Sequence, residues 1–91
     1  MKPGKISKHA RARMIQRGLP ALALEALLKY GTYEYDHHGG KIVYLNSTGK
    51  SRLSKVLAPN QLGHWTNMYA VLDLQNEVIT VGHRTRRIIR H

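Results

Sequence analysis

The hydrophobic period of this chain changes once, at Gly31, and that change limits the folds open to it. Before Gly31 the apolar residues recur at helical spacing, and after it they alternate in short runs of strand type. Ser7 is a candidate N-cap for a first helix, which stops at Gly18, a plausible C′ position. Leu19-Pro20 opens a second helix, since proline is tolerated in a first turn. Leu22, Leu24, Ala26, Leu27 and Leu28 make that helix apolar over much of its surface, with Glu25 and Lys29 on the wet side. It reads as the core helix.

Residues 32–45 then read as a hairpin, with Thr32 to Asp36 going out, His37-His38-Gly39-Gly40 turning, and Lys41 to Leu45 returning. Asn46 to Lys50 is loop-like. Arg52 to Leu57 fits a basic helical turn or a short strand, ended by Pro59-Asn60. Trp65 to Leu74 is a long strand candidate, Asp73 to Asn76 a tight turn, and Glu77 to Gly82 its returning partner. The spacing predicts one α+β domain over 1–91: two N-terminal helices followed by an antiparallel β-sheet of about four strands. A basic arm (1–6) precedes it and a basic tail (84–91) follows.

At 91 residues, one modest core is expected. The chain has no cysteine, which rules out a disulfide framework, a thiolate zinc site and a cysteine nucleophile. No apolar run is long enough to cross a bilayer and no signal-peptide segment opens the chain, so the expectation is a soluble, cytoplasmic protein. Charge is the strong compositional signal. The formal net charge is +10, with six of the 15 Lys and Arg in residues 1–17 and four in residues 84–91. All five acids (Glu25, Glu34, Asp36, Asp73 and Glu77) fall between those ends. A fold that brings the ends together gains an almost purely positive face, which attracts polyanions in a salt-dependent way.

The first helix concentrates this signal. His9, Arg13, Gln16 and Arg17 share a face at helical spacing, with Lys8 and Arg11 beside them. An imidazole beside guanidiniums, with no acid close in sequence, suits binding or cleaving a phosphodiester. His83 ends the last strand and is followed by Arg84, Thr85, Arg86 and Arg87. If the first helix packs beside that strand, His9 and His83 would supply the base for a ribose 2′-OH and the acid for the 5′-oxygen. Arg13 and Arg84 would then stabilise the phosphorane. The plainer reading of each histidine is a surface residue or a helix-end hydrogen bond.

Other constellations carry less. Six histidines invite a metal test, but His37 and His38 are adjacent and His9, His64, His83 and His91 are scattered, so no metal or other cofactor is expected. Thr48-Gly49-Lys50-Ser51 looks like the end of a P-loop, yet the required glycine five residues before Gly49 is Tyr44. Lys50, Arg52 and Lys55 therefore read as extra nucleic-acid backbone contacts or a solvated face. Tyr33, Tyr35, Tyr44, Trp65 and Tyr69 lie in strand patterns where a face can stack bases. Without phenylalanine, most of these rings are expected in the core, with Tyr69 or Tyr44 the exceptions.

The run His-Ala-Arg-Ala-Arg-Met-Ile-Gln-Arg-Gly-Leu-Pro, from His9 to Pro20, resembles the opening signature of a small bacterial family of uncharacterised function. That family has a His-Ala-x-x-Arg-Met-x-x-Arg-Gly helix, then a Leu-rich helix, and closes on strands like Tyr69 to Asp73 and Val78 to Val81. The arrangement is similar to RelE/ParE-like and wider barnase-like toxin folds, where helices precede a curved antiparallel sheet. The resemblance implies an RNase-type toxin or a domain descended from one. His9, Arg13 and Arg17 match its helix, and His83-Arg84 its polar end.

Three readings compete. The first is a metal-independent endoribonuclease of toxin type. The second is a non-catalytic RNA- or DNA-binding module on the same basic face. The third is an interaction domain whose basic surface meets an acidic antitoxin or other acidic partner.

Overall fold

The computed structural model describes residues 5–36, 39–57 and 65–83. In chain order these form α1 (Lys8–Gln16), α2 (Ala21–Tyr30), β1 (Thr32–Tyr35), β2 (Lys41–Tyr44), α3 (Ser47–Leu53), β3 (Met68–Leu72) and β4 (Val78–His83). The strands make one antiparallel sheet in the order β1-β2-β3-β4. The α+β expectation holds, with one correction. A third helix interrupts the strands where residues 46–50 read as a loop.

The first two helices end as their sequences dictate. Ser7 Oγ accepts from the Ala10 amide at 3.0 Å and caps α1. Gly18, at φ 66°, closes α1 in a Schellman motif: its amide bonds the Ile15 carbonyl, and the Leu19 amide bonds that of Met14. Met14 and Leu19 are both buried, which supplies the apolar contact that accompanies this cap.

Short-range signals also explain α3, though they are easy to overlook. Asn46 Oδ1 accepts from the Gly49 amide at 2.8 Å, an N-cap bond. Gly49 is buried, and a Cβ there would lie 2.5 Å from the Tyr30 carbonyl. Close packing of α3 on α2 is what this glycine serves, which removes the P-loop resemblance for good. The long strand candidate is also shortened: Trp65 precedes β3 in a helical turn and is buried in the core.

Leu24, Leu27 and Leu28 of α2 and Ala10 and Met14 of α1 cover one face of the sheet. From the sheet come Val43, Met68, Ala70, Leu72, Val78 and Val81. Val78 and Val81 are three apart, so on a regular strand they would face opposite ways. A bulge resolves this: Leu72 pairs with Val78 and Val71 with Thr80, leaving Ile79 without a partner opposite. That extra residue turns Thr80 to the face away from the core.

A candidate nucleic-acid interface on the outer strand

The chain closes on itself at β4. Ile6 forms a parallel bridge with Val78, the Val78 amide bonds the Lys5 carbonyl at 2.7 Å, and the Ser7 amide bonds the Val78 carbonyl at 2.9 Å. Ser7 Oγ also donates to the Ile79 carbonyl at 3.0 Å. Residues 5–7 thus cover the edge of β4 at its bulge, and α1 leaves this anchor and packs against β4.

The first-helix residues are therefore fixed relative to the last strand. His9 Nε2 lies 3.1 Å from Thr80 Oγ1, and the ring is exposed. Lys8, Arg11 and Arg17 are also exposed, and Arg13 is half-buried. Arg11 Nε donates to the Ile6 carbonyl at 3.3 Å, holding that side chain toward the anchor. Arg13 Nε is buried and makes no hydrogen bond. A buried guanidinium nitrogen without a partner is costly, and an anion would relieve that cost. No acidic residue lies in α1, so these cations are not neutralised within their own helix.

Thr80 and Gly82 share a face of β4, separated by about 6.6 Å along the strand. Gly82 pairs with Tyr69, and a Cβ at Gly82 would come within 3.1 Å of that ring and its hydroxyl. The tyrosine thus lies across the outer strand on the face that carries Thr80. Thr80 carries no motif in the sequence. The one signal that finds the Tyr69 position is Gly82, because a glycine inside a strand often marks a close approach.

His83 goes elsewhere. It pairs with Met68 and shares its face with Val81, whose side chain is in the core. Thr80 and His83 therefore leave β4 on opposite faces. The structure brings His9 to the last strand but does not set His9 and His83 side by side on one face. Arg84, Thr85, Arg86 and Arg87 lie outside the described residues, as do the basic arm at 1–4, the tail at 84–91, and His37, His38, His64 and His91.

Lys50, half-buried, and Arg52 and Lys55, both exposed, sit on or just after α3, which packs on α2. They make a second cationic group apart from α1. The aromatic expectation needs correcting too. Trp65 is buried and Tyr30, Tyr44 and Tyr69 are half-buried, whereas Tyr33 and Tyr35 are 44% and 67% exposed. They stand on the core-side face of the sheet, opposite Val43 and Lys41, but at the edge strand, where they are left exposed.

Among the described residues no group of three His, Cys, Asp or Glu side chains is placed to hold a metal ion. No described helix is long and apolar enough to cross a membrane. Comparison with protein-family models, curated proteins and solved structures finds no match to this chain.

Proposed function

We propose that the protein acts on RNA as a toxin-type ribonuclease domain in the RelE/barnase-like manner, with His9 as its proton-transfer group. The observation that carries this reading is the His9–Thr80 contact, which anchors an exposed imidazole beside the cations of α1. Thr80 engages Nε2, and Nδ1 is left for a substrate.

In this reading His9 takes the 2′-OH proton, and the freed oxygen attacks phosphorus. The 5′-oxygen leaves and takes a proton from solvent, and a 2′,3′-cyclic phosphate remains. Arg13 and Arg17 stabilise the charge on the phosphorane, and the Tyr69 hydroxyl adds a donor on the same face of β4. Lys8 and Arg11 hold the flanking phosphates.

A second reading, RNA binding without cleavage, is favoured by the separation of His9 from His83. Incubating purified protein with single-stranded RNA in EDTA distinguishes the two. Cleavage that falls on the order of 10²-fold or more in His9→Ala, with RNA binding intact and His83→Ala fully active, supports the first. Intact RNA with salt-sensitive binding establishes the second. An acidic partner protein becomes the leading alternative if the chain neither binds nor cuts RNA.

A further inference from the structure

The helix α2 buries one side and presents the other. Ala23, Leu24, Leu27 and Leu28 sit in the core, so the helical period turns Leu22, Glu25, Ala26 and Lys29 outward as one stripe. Leu22, Glu25 and Lys29 are exposed, and Ala26 is half-buried. α3 packs against α2, and the two helices border a cleft of about 350 Å³. Along α2 this cleft runs from Leu22 to Tyr30. Its deeper lining is Leu53 and Trp65, both buried, while Leu22 and Val56 are 59% and 60% exposed. Large apolar side chains left in water around a cleft mark a contact surface.

This surface carries complementary features of its own. Leu22 is a projecting knob, and the cleft beside Ala26 and Tyr30 is a hole. Ala26, midway between Leu22 and Tyr30, has no bulk to hold a second helix away. Glu25 and Lys29 stand one turn apart with opposite charge, and Glu25 is the only acid in α1, α2 or α3. The Lys29 ammonium lies 5.3 Å from the centre of the Tyr30 ring, at the far end of the stripe from Leu22. A second α2, laid antiparallel about a two-fold axis at Ala26, sets residue 22 of each copy opposite residue 30 of the other. Each feature then meets its complement.

We propose that the chain forms a two-fold symmetric dimer through the outward stripe of α2. Leu22 of each copy enters the cleft at the partner's Tyr30, and Glu25 comes within a turn of the partner's Lys29. One surface supplies the knob, the hole and both charges, which is what contact between identical copies requires and a foreign helix does not. The net charge of +10 on each chain opposes the approach at long range. At about 0.15 M salt, charges more than about 8 Å apart are largely screened, and the short-range match decides. This inference stands apart from the RNA reading, since it uses neither α1 nor β4.

The test is analytical ultracentrifugation at about 0.15 M salt, from micromolar to submillimolar protein, with folding of each variant checked by circular dichroism. The native chain is expected to dimerise in this range. Glu25→Lys sets lysine against the partner's Lys29 at both contacts, and Lys29→Glu sets glutamate against the partner's Glu25. Each variant alone should dimerise at least about tenfold more weakly. An equimolar mixture of the two restores both opposite-charge contacts and should recover native dimerisation. Leu22→Ser alters only an exposed side chain and should also weaken the dimer. If a charge variant does not fold, Leu22→Ser decides in its place. The proposal is overturned by a native chain that stays monomeric, whether or not another protein covers α2. It is also overturned by assembly beyond a dimer, by folded variants that dimerise as the native chain does, or by a mixture that stays as weak as its components.

Discussion

A histidine on a basic helix is a common thing; a histidine whose ring is tied to a strand 71 residues further on is a positioned group. On the proposed ribonuclease reading Thr80, which contacts the imidazole, positions that ring and leaves the substrate untouched, so its loss should spare binding. Thr80→Val keeps the side-chain shape and removes the hydroxyl. Single-turnover assays should then show cleavage reduced roughly ten- to a hundredfold with RNA affinity unchanged. A variant that cleaves normally would mean that His9 needs no fixing, or no role at all. Tyr35 offers a second check at this scale. The Tyr33 hydroxyl beside it, by hydrogen bonding and then by charge, pushes its titration above that of an ordinary tyrosine. Tyr35 therefore keeps its proton to higher pH than a free phenol. Removing that hydroxyl with Tyr33→Phe should bring Tyr35 back toward the usual range, read by ultraviolet titration.

At the scale of the elements, the caps and the bulge decide more than the apolar residues do. Ser7 serves both α1, through the Ala10 amide, and β4, through the Ile79 carbonyl. Ser7→Ala should cost about 1 kcal/mol from the lost cap, seen as a fall in Tm of roughly 4–8 °C. The variant should also bind RNA less well, because α1 loses a tie to its strand. Unchanged stability would show that residues 5–7 hold by main-chain bonds alone. Both N-terminal helices and both hairpins are legible in the sequence, because Gly18, Pro20, Gly31 and Asp73 punctuate clear periods. α3 is not, since Ser-Thr-Gly-Lys-Ser has weak helix formers and its evidence is tertiary: Gly49 against the Tyr30 carbonyl. The Ile79 bulge is equally hidden. Val-Ile-Thr-Val reads as a regular strand, and only pairing with β3 shows that Val78 and Val81 face the same way. The same bulge decides which candidate site residues meet, so His9 was readable as a candidate and its partner was not.

Over the whole molecule, charge is sorted by position. α1 and its C-cap Arg17, packed on β4, carry four cations and no acid, while Glu34 and Asp36 lie in or beside β1 at the other edge of the sheet. On the proposed RNA reading, engagement of four phosphates by Lys8, Arg11, Arg13 and Arg17 would give a slope of roughly −3 when log affinity for single-stranded RNA is plotted against log salt. Neutralising Arg11 and Arg17 together should flatten that slope by more than one unit. A slope that does not move would place the binding surface away from α1, with Lys50, Arg52 and Lys55 the next group to change.

The clasp of residues 5–7 on β4 also has a consequence in time. Its contacts join the first described residues to the last described strand, so the loop they close is among the most expensive to form of those between described residues. Such long-range pairing is slow and comes after local helices and hairpins. During synthesis, His9 has no strand to rest on until residue 80 has left the ribosome. A nascent chain therefore carries the basic helix but not the assembled site. The surface built by α1 and β4 therefore exists only once β4 has been made and has folded back onto the first helix.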